Sequence, residues 1–241
     1  MPSLTWRGTV GVVKPTYESG SLVEFIRLLP EGIGVIPVYL GLKEYTAEEF
    51  LAALETYHLR VAELAEKGVD VIHPEGAPPF LLRGYQAEKE IVKAWEAQYK
   101  IPIFTSAMTQ TAAFRAMGIK RFLGVTYLGK QVTEMFGRYF SEAGFDVAAM
   151  ETLPVDREDR YTISPEEIYS HIKKLFFRQS NLDGIYLLGS GTWRAVDVVP
   201  LEADLGVPVI HPVAARVWYV QKRLHVRQPV RGAGQLLEQL P

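Results

Sequence analysis

Short runs of β-branched and apolar residues alternate with longer amphipathic stretches along almost the whole chain. Two of the longer stretches begin with helix-start signals, Thr-Ala-Glu-Glu in Thr46–Lys67 and Ser-Pro-Glu-Glu in Ser164–Gln179. Strands that alternate with helices predict an α/β fold with mainly parallel sheets. The candidate strands are Thr9–Val13, Gly34–Leu40, Val69–His73, Ile101–Thr105, Arg121–Thr126, Asp146–Met150, Gly184–Leu188 and Pro208–His211.

The second half of the chain repeats patterns of the first half in the same order. Gly11-Val-Val13 recurs as Gly124-Val-Thr126, and VDVIHPEG, EGIGV and KIPIFTS pair with LDGIYLLG, AGFDV and GVPVIHP. We therefore expect two pseudo-symmetric three-layer α/β lobes, each with a mainly parallel four-stranded sheet. Residues 1–112 plus 213–241 would form the first lobe and residues 113–212 the second. A general likeness among βα sequences remains an alternative explanation of the repeat.

This fold also predicts where a ligand would bind. In open α/β sheets, ligands lie beyond the carboxyl ends of the strands, against loops and helix N-termini. Two lobes that face each other would enclose a cleft between their strand ends. The loops expected around that cleft are Lys14–Gly20, His73–Arg83, Thr105–Gln110, Tyr127–Gln131, Gly189–Arg194 and His211–Arg216.

Composition excludes several classes of chemistry. The chain has no cysteine, which removes disulfides, thiolate metal sites and every thiol-based mechanism. Its net charge of −2 gives no electrostatic reason for binding nucleic acid or an anionic membrane. No run approaches the ~18 apolar residues of a membrane span, and the N-terminal sequence lacks a signal-peptide pattern, so we expect a cytoplasmic protein. GSGTWR lacks the third glycine of a dinucleotide motif, there is no P-loop, and no histidine spacing favours a metal.

The ionisable residues of the expected loops are candidates for proton transfer. His73 and Glu75 alternate along a strand end and would lie on the same side of it, near the cleft. His211, at another strand end, is a third candidate. Equally, His73 and His211 could be core residues, and Glu75 could face solvent or pair with an arginine. Tyr127 could donate to a substrate oxyanion or simply pack at its strand end.

Other loop residues are candidates for holding an anion. Lys14 could hold a ligand's charge, or it could form a surface ion pair with Glu18. The turn Gly189-Ser-Gly-Thr192 offers backbone N–H groups at an expected helix start, which suits a carboxylate or phosphate. The segment Gly76-Ala-Pro-Pro79 offers fewer donors, because proline has no N–H.

Taken together, these segments resemble the aspartate/glutamate racemase superfamily, and more closely its maleate cis-trans isomerase and arylmalonate decarboxylase branch. The segments that carry the resemblance are LLPEGIGV, SPEEIY, WRAVDVVPLEADLGVPVI, RGAGQLL and Trp218. The resemblance implies two α/β lobes with the active site between them and no metal or organic cofactor. It also implies two cysteines, one in each lobe, that face each other across the substrate, whereas the decarboxylases keep only one. Backbone N–H groups, small hydroxyls and a tyrosine would hold the substrate's carboxylates.

This chain departs from that pattern at the reactive positions. The first cysteine position falls on Gly76 and the second on Ser190, or on Gly189 by a different count, while the tyrosine matches Tyr127. Glu18 stands where an asparagine is expected, and His211-Pro-Val213 replaces a serine–asparagine pair. Serine is far too weakly acidic to replace a thiol of pKa ~8.5 unaided. Racemisation by two thiols and maleate isomerisation through a cysteine adduct are therefore excluded.

We expect a cofactor-independent isomerase or lyase, with decarboxylases included, that acts on a small carboxylic or dicarboxylic acid. Glu75 or His73 would carry a proton on one side, and Ser190 or His211 on the other. A catalytically silent relative that binds a carboxylate is the main alternative, and a hydrolase using Ser190 is a further one. The resemblance makes a homo-oligomer plausible. The residues expected to hold the substrate are Lys14, Glu18, Gly76, Ala77, Gly191 and Thr192, with Tyr127.

Overall fold

Two separate parallel β-sheets organise the chain. The computed structural model describes residues 4–17, 19–43, 46–155, 159, 162–188 and 193–241. The first sheet has strand order β2-β1-β3 and the second β5-β4-β6-β7, and every strand pair is parallel. The strands are β1 (Gly8–Lys14), β2 (Ile33–Tyr39), β3 (Val71–Pro74), β4 (Arg121–Thr126), β5 (Asp146–Thr152), β6 (Gly184–Leu187) and β7 (Val209–Ile210).

Helices connect the strands, as parallel pairing requires. The described chain also contains a 3₁₀ helix at Ala195–Val198. The α-helices are α1 (Gly20–Leu28), α2 (Ala47–Glu66), α3 (Pro78–Leu81), α4 (Tyr85–Tyr99), α5 (Ser106–Ala116), α6 (Lys130–Glu142), α7 (Pro165–Phe176), α8 (Val199–Leu205), α9 (Pro212–Arg223) and α10 (Gln235–Gln239).

The first sheet differs from the expected four strands at its last position. Ile103 forms an isolated bridge with Ile72 of β3, through Ile72 N–H to Pro102 O at 2.9 Å and Phe104 N–H to Ile72 O at 3.1 Å. Pro102 has no N–H, which limits the pairing there. With this bridge included, the two sheets share the order 2-1-3-4. The predicted pseudo-symmetric α/β architecture is confirmed, whereas the division at residues 112/113 and 212/213 stays a prediction.

The two predicted helix starts form, although they differ in detail. Ser164 and Glu167 form the complete capping box, with Ser164 N–H donating to Glu167 Oε2 at 2.8 Å and Glu167 N–H to Ser164 Oγ at 3.2 Å. At the other start, Thr46 Oγ1 accepts from Glu49 N–H at 3.1 Å, but Glu49 Oε1 accepts from Lys43 N–H. Helix α7 therefore begins directly after Ser164 and helix α2 directly after Thr46.

Helix α9 links the second sheet back to the first part of the chain. It follows β7 directly and packs against α1 and α5. Nine of its residues are buried, among them Val213, Val217 and Trp218. This packing brings the first turns of α9 to the carboxyl ends of β1 and β3. Within the described residues, the helices are all too short or too polar to cross a bilayer.

Candidate active site

A cavity of about 450 Å³ lies at the carboxyl ends of strands from both sheets. Lys14 ends β1, Glu75 follows β3, Tyr127 follows β4 and Leu188 follows β6, and all four line the cavity. Its walls include residues from five of the six loops that the sequence predicted. The volume is typical of pockets that bind small molecules. The fold therefore forms a binding cavity where the strand-end rule places one.

One part of the cavity wall is a buried ionic cluster that consists of Lys14, Ser21, Glu75 and Arg216. Arg216 Nη1 lies 2.7 Å from Glu75 Oε2, and Lys14 Nζ lies 3.3 Å from Glu75 Oε1. Ser21 Oγ donates to Glu75 Oε1 at 2.8 Å and accepts from Lys14 Nζ at 3.0 Å. Lys14 and Arg216 are each only 2% exposed. The cluster holds two cations against one carboxylate, so its own groups carry a net positive charge.

The cluster also determines the protonation state of Glu75. Burial alone raises the pKa of this carboxyl, but the charges of Arg216 and Lys14 outweigh that effect and lower the pKa to about 2. Glu75 is therefore an anion throughout the neutral range, with no proton to donate and little basicity. The expectation that Glu75 carries a proton does not fit this environment. The geometry instead makes it a counter-ion that holds both cations at the cavity wall.

Backbone conformation and packing favour glycine at position 76. Gly76 has φ +98°, in the region that favours glycine, and its N–H donates to Ser106 Oγ at 3.2 Å. A Cβ built there would lie 2.9 Å from Tyr57 Oη and 3.2 Å from Pro15 Cγ. Tyr57 Oη is itself held by a hydrogen bond to the carbonyl oxygen of Glu75. A side chain at position 76 would therefore be strained by the backbone and would require Tyr57 Oη to move.

The family model for arylmalonate decarboxylase matches this chain over residues 10–237. The chain belongs to the arylmalonate decarboxylase family. Among curated relatives, a maleate isomerase from Pseudomonas putida is 28% identical over 219 residues, which cover 82% of this chain and 81% of the relative. The branch that the sequence resembles is therefore confirmed, and the chain is an enzyme of that isomerase and decarboxylase branch.

Solved structures of both enzyme types share the fold of this family member. A maleate isomerase from a strain of Pseudomonas putida has TM-score 0.85 and 22% identity, with 97% of this chain and 99% of that chain covered. Arylmalonate decarboxylase has TM-score 0.82 and 20% identity, with coverages of 96% and 99%. A maleate cis-trans isomerase from Nocardia farcinica, bound to TRIS, has TM-score 0.86 and 20% identity, with coverages of 96% and 98%.

Both candidate histidines lie in the core of this fold and not at the cavity wall. His73 is fully buried, stacks on Phe104 with ring centroids 5.0 Å apart, and places Nδ1 2.8 Å from the Phe104 carbonyl oxygen. His211 is also fully buried, and its Nδ1 accepts from Val213 N–H at 3.2 Å as the N-cap of α9. Burial lowers the pKa of both rings, and the positive charge of Arg216 lowers it further, to about 4 for His73 and about 3 for His211. Both rings are therefore neutral at pH 7.

The remaining predicted residues divide into two groups. Lys14, Gly76, Ala77 and Tyr127 line the cavity together. Leu188, which also lines it, is the last described residue before the segment that holds three other candidates. The candidates that lie outside the described residues are Glu18, Ser190, Gly191 and Thr192.

Two important polar residues of this wall were missed by the sequence reasoning. Arg216 is the first charged residue of α9 and lies in the apolar stretch PVAARVWYV. Ser21 is the second residue of α1. A lone arginine among buried helix positions is the signal that could have identified Arg216, because arginine is rarely buried without a partner. In the part of the chain that the structure describes, no group of His, Asp or Glu residues is arranged to hold a metal ion.

Proposed function

We propose that this chain is a cofactor-independent decarboxylase of a small malonate-type acid. The observation that carries the proposal is the cavity itself, because it joins a buried cationic cluster to an apolar wall in a chain without cysteine. The apolar residues of that wall suit an aryl or alkyl substituent and include Leu42, Phe50, Pro79, Val132 and Phe136. The family and the curated relative are enzymes, which supports catalysis over the binding-only alternative.

The absence of thiols favours decarboxylation over isomerisation. Isomerising a double bond such as that of maleate requires a nucleophile that adds to carbon and later leaves, and racemisation requires an acid or base on each face. Decarboxylation requires neither. The bond between the α-carbon and the departing carboxylate breaks, its electron pair enters an enediolate, CO₂ leaves, and one proton then adds to the α-carbon. The enzyme must chiefly stabilise the enediolate, which positioned donors can do without sulfur.

Glu75, His73 and His211 are poorly placed or poorly suited to supply the proton that adds to the α-carbon. Glu75 is ionised, and the rings of His73 and His211 are absent from the described cavity wall. Tyr127 lines the cavity, and we assign its phenol to the developing oxyanion. Ser190, at the second cysteine position of the resemblance, remains our candidate for the residue beside the α-carbon.

The test is turnover of a defined panel in deuterated buffer. Phenylmalonate, methylphenylmalonate and maleate are each incubated with the protein, while CO₂ release and deuterium in the product are followed. We expect CO₂ release with one deuteron on the α-carbon of a monoacid product, no conversion of maleate to fumarate, and at least tenfold slower turnover in Tyr127→Phe. Maleate isomerisation without CO₂ release would contradict the proposal. Thermal stabilisation by all three acids with no turnover would favour a binding protein instead.

A further inference from the structure

We propose that Gln110 determines substrate specificity by donating a hydrogen bond to a neutral acceptor atom on the substituent of the acid, and that Tyr186 holds it in that orientation. The inference deepens the proposed function, on which it rests only for the kind of acid that enters the cavity. The observation behind it is a buried glutamine at the cavity wall whose amide oxygen is held by the protein while its amide nitrogen has no partner there.

The contacts of Gln110 leave its amide nitrogen available to a ligand. Gln110 lies on α5, is only 1% exposed and lines the cavity. Its Oε1 accepts a hydrogen bond from the Tyr186 phenol at 3.1 Å, whereas its Nε2 forms no hydrogen bond with the described residues. This nitrogen is not one of the unpartnered polar atoms that the protein encloses completely, so it keeps some accessible surface. A ligand acceptor in the cavity would satisfy a donor that is otherwise costly to bury.

Tyr186 decides which end of the Gln110 amide faces the cavity. Tyr186 is fully buried on β6, and burial raises the pKa of its phenol well above the usual range, so the hydroxyl keeps its proton. In the described chain, that proton is donated to Gln110 Oε1. Turning the amide over would place Nε2 against the phenol and would leave the phenol proton without this acceptor. The oxygen of the amide therefore stays on Tyr186, and the nitrogen stays on the side of the cavity.

The surroundings of this donor favour a neutral acceptor on an otherwise apolar substituent. The ring of Tyr186 packs against Phe136 with centroids 5.8 Å apart, and Phe136 belongs to the apolar wall of the cavity. Among the described residues, no charged side chain forms a hydrogen bond with Gln110 or Tyr186. Anions form their strongest hydrogen bonds with charged donors, whereas an uncharged N–H beside an aromatic ring suits a ring nitrogen or an ether or carbonyl oxygen. A substituent that offers only a donor would find no acceptor at Gln110, because Oε1 is already used.

Gln221 provides a comparison within the same chain. It is also 1% exposed, its Oε1 accepts from Gln228 N–H at 2.9 Å, and its Nε2 has no partner. That nitrogen is completely enclosed, however, and Gln221 is not one of the described residues that line the cavity. An unpartnered amide nitrogen therefore does not indicate a ligand site by itself, and the position of Gln110 at the cavity wall is the deciding feature. Gln221→Met is accordingly the matched control for Gln110→Met.

A binding experiment with isosteric acids tests Gln110 without requiring turnover. Calorimetry at pH 8 compares phenylacetate with the three isomers of pyridylacetate, in which an uncharged ring nitrogen replaces one C–H group. At least one isomer should bind to the wild-type chain about fivefold to tenfold more tightly than phenylacetate, which corresponds to one neutral hydrogen bond. Gln110→Met should bind all four acids with equal affinity, and Gln221→Met should keep the wild-type preference.

Tyr186→Phe tests the positioning role with a readout that lost packing alone would not produce. Without the phenol, the amide of Gln110 is free to turn over and present Oε1 to the cavity. The preference for pyridylacetate should therefore fall, while at least one isomer of aminophenylacetate, which offers N–H donors, should bind more tightly than it does to the wild type. An equal loss of affinity for every acid would overturn the positioning role of Tyr186.

The outcomes separate this inference from the proposed function. Equal wild-type affinity for phenylacetate and every pyridylacetate would overturn the inference even if the variants failed to fold, and so would a preference that persists in Gln110→Met. Decarboxylation of phenylmalonate without any such preference would refute the inference and leave the proposed function intact. A preference that depends on Gln110, without turnover of any malonate, would keep the inference and refute the decarboxylase. Failure of the wild type to bind all four acids would contradict both.

Discussion

Replacing Glu88 with glutamine should remove part of the pH dependence of this protein's stability. Glu88 is fully buried on α4, where its Oε1 accepts from Thr105 Oγ1 at 2.5 Å. Its Oε2 accepts a hydrogen bond from the phenol of Tyr139 on α6, so the carboxyl connects α4 with α6. The ring of Tyr85 packs edge-on against Tyr139 at 5.5 Å, beside this contact. No cation contacts Glu88 among the described residues, in contrast to Glu75.

Burial determines the direction and size of the effect. It raises the pKa of Glu88 from 4.5 to about 7, against the smaller lowering effects of Thr105 and Tyr139. Between those two values, the unfolded chain has lost its proton while the folded protein keeps it, so stability falls as pH rises. At about 1.36 kcal/mol per pH unit, the interval corresponds to about 3 kcal/mol. Glutamine at this position does not titrate, so the substitution removes this pH dependence.

The measurement is urea unfolding of the wild type and Glu88→Gln from pH 4 to pH 8. The variant's own packing cost is independent of pH, and other titrating groups cancel in the difference between the two proteins. We expect the difference in unfolding free energy to shift by about 3 kcal/mol in favour of the variant as pH rises. Glu90→Gln, an exposed carboxyl on the same helix, is the control and should show no shift. A flat difference for Glu88→Gln, or one of opposite sign, would refute the reasoning.

Three further predictions follow from the site. Glu75 has a lowered pKa, so the wild type should lose about 3 kcal/mol of stability as pH falls from 4.5 towards about 2, and Glu75→Gln should lack this loss in acid unfolding. Gly76→Ala should cost about 1–3 kcal/mol in urea unfolding, and clearly more than Gly68→Ala, where φ is +71° but a Cβ meets nothing within 4 Å. Because the pKa values of His73 and His211 are lowered to about 4 and 3, the pH profile of kcat/KM should show no inflection from either residue between pH 5.5 and 8. An inflection in that range that disappears when either histidine is substituted would contradict their core role.

Much of the architecture could be predicted from local sequence patterns. The strand predicted at Arg121–Thr126 has those bounds in the structure, and the helix predicted at Ser164–Gln179 appears as Pro165–Phe176 behind its capping box. These features depend on neighbouring residues, whose hydrophobic spacing and capping are visible in the sequence. The strand predicted at Ile101–Thr105 was reduced to a bridge, because Pro102 removes a donor.

The candidate site was predictable in place but not in chemistry. Strand ends and loop order located the cavity, since parallel strands bring their carboxyl ends to one edge. The sequence alone also determined the most restrictive chemical fact, the absence of cysteine, because composition does not depend on folding. Only the tertiary structure decided that Glu75 is a counter-ion of Lys14 and Arg216, and that His73 is a core residue. Burial and contacts between residues distant in the chain determine the charge state of each group, and local sequence contains neither.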